Sequence, residues 1–310
     1  MVAIRKLREL ALEQTASAGR PAHLSAASGL LQVGEYLYVN ADDELHLGVF
    51  PTHGEAPGSL ARLFEGELPE ARDDRKALKP DLEALLQLPG LPAYPHGALL
   101  ALPSGSKPQR RRAALCALDE QGRLLGQVRV LDTSLLYDAL EAHIDKLNIE
   151  GAVLCGSELW LLQRGNSHGA QNAVLRLDLP IALRALKVLP GESAEITPHI
   201  QPCELGKIGD TRLGFTDATA LPDGCVLYSA VAENTSDNYF DGACAGSVLG
   251  LLSPKGQVLW QHTLADVHKV EGISARVVHG KLHVLMVTDA DDPAQAASLL
   301  SAQLDYPGVS

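Results

Sequence analysis

Short apolar runs, each cut by a tight-turn signal, recur along the whole chain. The stretch "LNIEGAVLCGSELWLLQRGN", Leu147 to Asn166, shows the form. Glu150 opens one strand-like run, Gly156-Ser157 turns it, and an arginine and an asparagine close the next. Four other stretches repeat it: "SGLLQVGEYLYVNADD" from Ser28, "LEALLQLPGLPAYPHGALLALPSGS" from Leu82, "TDATALPDGCVLYSAVAEN" from Thr216 and "VEGISARVVHGKLHVLMVTDADD" from Val270. Runs separated by Gly, Asp-Gly and Pro turns predict antiparallel strands. The anchors Ser28, Glu83, Glu150, Asp217 and Glu271 lie 55, 67, 67 and 54 residues apart. From Glu271 round to Ser28 through the termini the interval is again 67.

Further strand-like runs follow each pair, among them "RAALCALDEQG", "LLGQVRVLD", "NAVLRLDL", "ITPHIQPCEL", "GSVLGLLSPKG" and "QVLWQHTL". Four strands per unit predict the blades of a propeller. The chain is therefore expected to be all-β, a single five-bladed β-propeller domain over 1–310 with four-stranded blades. The last unit has "ASLLSAQLD" and then ends, and the N-terminal "AIRKLREL" is placed to supply its missing strand. Such a closure hides sheet edges that would otherwise stay open. A capped apolar periodicity predicts one inserted helix over 132–147. Helix-forming composition in "PEARDDRKALKPDLEALLQL" contests the first strand of the second blade. Six blades of about 52 residues each are the alternative, although only five anchors are visible.

In a propeller the innermost strands begin on the face where the second strands end. Glu83, Glu150, Asp217 and Glu271 should then converge on the mouth of an axial funnel. Two such charges ~5 Å apart repel by roughly 3 kcal/mol at an effective dielectric of ~20. A cation, shared protons or basic neighbours must relieve this. Hard oxygen ligands would suit Ca²⁺ or Mg²⁺, and these four residues are the expected metal ligands. Lys79, Lys146, Arg212 and Lys269 precede the anchors and offer neutralisation without a metal. Glu150, Glu271 and Arg164 are the expected catalytic groups, and Asn166, Asp43, Glu233 and Asp289 the expected substrate contacts.

The charge balance narrows the partners. With 38 acidic against 26 basic residues the net charge is −12, which argues against nucleic acid. The one basic cluster, "KPQRRRAAL", reads as a solvated loop, and "NADDE" and "DADDP" read as acidic loops without EF-hand spacing. No apolar window is long enough to span a bilayer, and charges interrupt the N-terminus where a signal peptide needs an apolar core. The five cysteines contain no C-x-x-C and suit buried thiols in a reducing cytoplasm. Rossmann, P-loop, zincin and nucleophile-elbow motifs are absent.

The phrases "LNIEGAVLCGSELWLLQRGN", "LGFTDATALPDGCVLYSAVAEN" and "KVEGISA…VTDADDP" resemble an uncharacterised bacterial family of propellers over nearly the whole chain. More distantly, the "EG" strand openings are similar to the phytase-like esterase and SdiA-regulated propeller families. That resemblance implies a funnel site, with calcium and ester or phosphoester hydrolysis. The expected activity is metal-assisted hydrolysis of a small polar ester, lactone or phosphoester. A non-catalytic propeller binding a small molecule or protein on its top face is the alternative. A glycan-processing propeller, with two carboxylates as acid and base, is a third reading.

Overall fold

The computed structural model describes residues 1–17, 19–165, 170–233, 244–306 and 308. Strand β1 (Ile4–Glu9) comes first. One blade follows: β2 (Ala27–Val33), β3 (Tyr36–Ala41), β4 (His46–Pro51) and β5 (Ser59–Arg62). Helix α1 (Arg72–Leu78) leads to the second, β6 (Leu82–Leu88), β7 (Ala98–Pro103), β8 (Arg112–Leu118) and β9 (Leu124–Asp132). Helix α2 (Ser134–Glu141) leads to the third, β10 (Ile149–Cys155), β11 (Glu158–Gln163), β12 (Ala173–Asp178) and β13 (His199–Pro202), with α3 (Leu179–Ala185) before its last strand. The fourth holds β14 (Lys207–Ile208), β15 (Thr211–Ala220), β16 (Val226–Glu233), β17 (Cys244–Leu252) and β18 (Val258–Thr263). The fifth is β19 (Val270–Val278), β20 (Lys281–Thr288) and β21 (Ser298–Asp305), with β1 as its outer strand. This is a five-bladed β-propeller.

Closure comes from the N-terminus, as the unpaired last unit requires. Strand β1 pairs antiparallel with β21, Ile4 opposite Ala302 and Glu9 opposite Ser298. The Val2 amide donates to the Thr263 carbonyl of the fourth blade at 2.9 Å, so the same segment also ties two blades together. Apolar cores fill the spaces between successive blades. Between the third and fourth, Trp160, Phe215 and Tyr228 are buried, the last two edge to face at 5.1 Å. Between the second and third, α2 and α3 add Leu136, Leu140 and Leu183 to the strand side chains. No helix among the described residues is long and apolar enough to cross a membrane.

Two local expectations are corrected. Helix α2 ends at Glu141 rather than near 147: the His143 amide turns back to the Leu140 carbonyl at 2.9 Å, and Lys146, with a φ of 58°, bars a right-handed helix from running on to 147. The strand-like run "NAVLRLDL" stops at Asp178, and a helix beyond the single one expected, α3, follows it, capped by Asp178 accepting from the Ile181 amide at 2.9 Å, with Pro180 in the first turn. The contested second-blade segment divides between α1 and β6.

A candidate funnel site rich in carboxylates

Each inner strand breaks register close to its start. The breaks fall between Ala27 and Gly29, Leu82 and Ala84, Ile149 and Gly151, Phe215 and Asp217, and Val270 and Gly272. The residue inside each break is Ser28, Glu83, Glu150, Thr216 or Glu271. A bulge leaves that residue unpaired and re-aims its side chain, which is how a carboxylate can open a strand that enters a core. In four of the five strands the residue after the bulge is small, Gly29, Ala84, Gly151 or Gly272, where neighbouring inner strands meet. A Cβ on Gly151 would lie 3.1 Å from the Asp217 Cα, and one on Gly272 would lie 2.8 Å from the Gly29 carbonyl carbon.

The fourth blade departs from the expectation by one residue. Thr216, not Asp217, occupies the bulge, and its hydroxyl bonds to Ser229 and to the Val270 carbonyl, each at 2.8 Å. Asp217 takes the place of the small residue. Its two carboxylate oxygens accept the amides of Ala218 at 2.8 Å and Ile273 at 2.7 Å, stitching the fourth blade to the fifth. Burial pushes this carboxyl well above its ordinary value, against the pull of those amides.

Arg164, just past the end of β11, gathers carboxylates from three blades. Its Nη1 lies 3.2 Å from Glu150 and 3.7 Å from Glu271, and its Nη2 lies 2.8 Å from Glu233. Lys269, just before β19, lies 2.6 Å from Asp291, 3.1 Å from Glu233, 3.3 Å from Asp289 and 3.8 Å from Glu271. The Glu233 contact lacks hydrogen-bond alignment, so Oε1 of Glu233, like Oε1 of Glu271, has no hydrogen-bond partner among the described residues. Asn148 donates to the other oxygen of Glu150 at 2.6 Å.

A second group joins on the side of the first two blades. Lys79, at the end of α1, pairs with Asp42 and, at 2.8 Å, with Asp81. Arg110 reaches Asp81 and Ser106, each at 2.7 Å, and Ser104 donates to Asp81. Oxygens of Asp42, Asp81 and Glu83 come within 4.8 Å of one another. Among the described residues Glu83 makes no hydrogen bond or ion pair, although it is only 9% exposed.

The protonation states follow from this shortage of cations. Burial pushes Glu271 up to about 8, with Arg164 and Lys269 pulling back and Glu150 and Glu233 adding to the rise. Burial raises Glu83 well above the carboxylate range, and neighbouring Glu150, Asp81 and Asp42 reinforce it. Glu150 is also raised by burial, against the opposing pull of Arg164. The two partners of Lys79 part company. Burial works against Asp81, but Lys79 and Arg110 outweigh it and lower its pKa. Asp42, with Lys79 alone and three acidic neighbours, is pushed by burial up to about 7. Asp291 reaches about 7, through burial and then Asp289.

The structure thus brings together Glu83, Glu150, Glu271, Arg164, Glu233 and Asp289, and it places Asp43 on the rim, paired with Arg20 and 3.6 Å from Arg75. Asn166 lies outside the described residues. Of the basic neighbours, Lys79 and Lys269 enter the network, whereas Arg212 is exposed. The acidic loops are not merely solvated, since Asp42, Asp289 and Asp291 hold buried ammonium groups. Nor is the arginine cluster: Arg110 is buried against Asp81, and Arg111 and Arg112 lie over the rings of Tyr137 and Phe64. Sequence reasoning missed Arg110 and Asp81. Both flank strands on the anchor face, which is the signal that could have found them. The cysteines are free, and burial pushes the Cys116 and Cys155 thiols up to about 12, far from a nucleophile's range.

No curated protein sequence matches the chain. Among solved structures it is similar to a mannose phosphorylase from Leishmania mexicana, at 11% identity over 98% of this chain and 89% of that one, with a TM-score of 0.47. An α-L-arabinanase from Penicillium chrysogenum is similar at 8% identity over 99% of each chain, with a TM-score of 0.44. A protein described as a gluconolactonase is similar at 14% identity over 99% of each, with a TM-score of 0.42. Residues 23–304 match the model of the family of unknown function DUF6929, and the chain belongs to that family.

Proposed function

We propose that the protein is a hydrolase of small polar esters or lactones, working at the axial funnel. The observation that supports it is the state of Glu271. This buried carboxyl titrates at about 8, with one oxygen beside Arg164 and the other without a hydrogen-bond partner. A carboxyl that keeps its proton near neutrality can give it to a departing oxygen. In this reading a water oxygen adds to the carbonyl carbon while its proton passes to the Glu150 carboxylate. The carbon–oxygen bond to the leaving group then breaks, and that oxygen takes the proton of Glu271. Exchange with solvent restores both groups. Arg164 positions the pair, since one nitrogen, Nη1, contacts both. A phosphoester is the less favoured substrate, because Arg164 and Lys269 are already surrounded by carboxylates. The free thiols are in keeping with a cytoplasmic setting.

The test is hydrolysis of p-nitrophenyl acetate and δ-valerolactone by the full chain. Glu271→Gln should lower kcat/KM about 100-fold or more while the protein stays folded. Equal rates in the two proteins would refute the reading.

A metal-assisted version draws on Asp42, Asp81 and Glu83, whose hard oxygens converge as Ca²⁺ or Mg²⁺ prefers. These residues fit an ion better than the ring of Glu83, Glu150, Asp217 and Glu271. Asp217 is committed to backbone amides, and Arg164 already bridges Glu150 and Glu271. An ion there would have to displace the Lys79 ammonium from Asp42 and Asp81. Its chemistry would be to polarise a substrate oxygen.

A further inference from the structure

Charge counting across the funnel points to the ligand. Eight carboxylates, those of Asp42, Asp81, Glu83, Glu150, Glu233, Glu271, Asp289 and Asp291, meet in one network. The cations directly paired with them among the described residues are Lys79, Arg110, Arg164 and Lys269. Each of these touches an acid already, so an anionic ligand would meet no spare positive charge. Two features show where positive charge is wanting. Glu83, nine-tenths buried, converges with Asp42 and Asp81 yet has no ion-pair or hydrogen-bond partner among the described residues. Oε1 of Glu271 has no hydrogen bond among the described residues, and the Lys269 ammonium stands off from it at 3.8 Å. A cavity of about 170 Å³ opens on the Asp42 side of this cluster; Asp42, Asp289, Asp291, Lys79 and Lys269 line its wall towards the network, and paired cations and acids of the rim, among them Arg75, line the rest.

We propose that the funnel binds a small molecule carrying a protonated nitrogen, an ammonium or guanidinium group, with Glu83 as its counter-ion. The fixed cations already held here are nitrogen cations, with N···O separations down to 2.6 Å, so the carboxylates stand at spacings suited to N–H donors. A divalent metal would place two charges at one point next to Lys79, whereas an organic ammonium brings a single charge at each nitrogen, the one that Glu83 lacks. Where this joins the hydrolase reading, on which only this clause rests, the substrate is an amine-bearing ester or lactone.

The experiment is calorimetric titration of the full chain at neutral pH with putrescine, 1,4-butanediol, inorganic phosphate and CaCl₂. Saturable binding of putrescine, absent for butanediol and phosphate, is expected. In Glu83→Gln the Kd should rise tenfold or more, with the melting temperature showing that the variant is folded. The proposal is overturned if putrescine does not bind, if it binds Glu83→Gln equally well, or if phosphate or Ca²⁺ binds in its place. The comparison of putrescine with butanediol in the unaltered protein tests the same point without any variant. Binding without ester hydrolysis would leave this proposal standing and remove the hydrolase reading; hydrolysis without putrescine binding would do the reverse.

Discussion

Arg164 is the residue on which the funnel's electrostatics depend most. Burial opposes its charge, but the carboxylates of Glu150, Glu271 and Glu233 overcome that opposition and raise its pKa. Arg164→Met should strand three buried acids and cost about 3–5 kcal/mol, readable as a shift in the urea unfolding midpoint. A variant as stable as the parent would mean that the acids are neutral without it. Glu271 makes a pH prediction. Its folded pKa of about 8 lies above the value of an unfolded glutamate, so the native state binds the proton more tightly. The contribution is therefore fully present in acid and is lost as pH rises from the unfolded value through about 8. Melting temperature measured against pH should fall over that window, and Glu271→Gln should flatten part of the fall. An unchanged profile in the variant would place the titration elsewhere.

At the level of strands, the inner five are held so close that their small residues are structural requirements. A Cβ at Gly272 would sit 2.7 Å from a Val287 methyl and 2.8 Å from the Gly29 carbonyl carbon. Gly272→Ala should therefore destabilise by about 1–3 kcal/mol, and by more than Gly151→Ala, whose nearest contact is 3.1 Å. Equal stability would mean that the strands can part without cost. The strands and their hairpins were legible because turn signals such as Gly156, with its φ of 60°, punctuate short continuous apolar runs. The bulge was not. Glu83, Glu150 and Glu271 were found because a charge opening an apolar run is conspicuous, but in the fourth blade the bulge holds Thr216 and the conspicuous charge sits one residue later. A one-residue slip turns a side chain to a different surface, which is why Asp217 binds backbone amides. Arg110 was hidden for another reason: three consecutive arginines look alike until the fold buries one beside Asp81.

For the whole molecule, ring closure and site are coupled, because the acids come from all five blades, with Asp42 and Glu233 contributed by the two blades whose bulges hold Ser28 and Thr216. Removing residues 1–10 takes away β1, its pairing with β21 and the Val2 tie to the fourth blade. The truncated protein should melt well below the full chain, and coincident melting curves would contradict closure by the N-terminus. Internal cations also set the response to metal. With Lys79, Arg110, Arg164 and Lys269 in place, Ca²⁺ should leave the melting temperature nearly unchanged; a large rise would favour an ion at Asp42, Asp81 and Glu83. The most direct test of the account as a whole is kcat/KM for δ-valerolactone measured from pH 5 to 10 in the full chain and in Glu271→Gln. The account predicts a descending limb near pH 8 in the parent, where Glu271 loses its proton, and a rate lower by about 100-fold with no such limb in the variant. The same profile and the same rate in both proteins would contradict it.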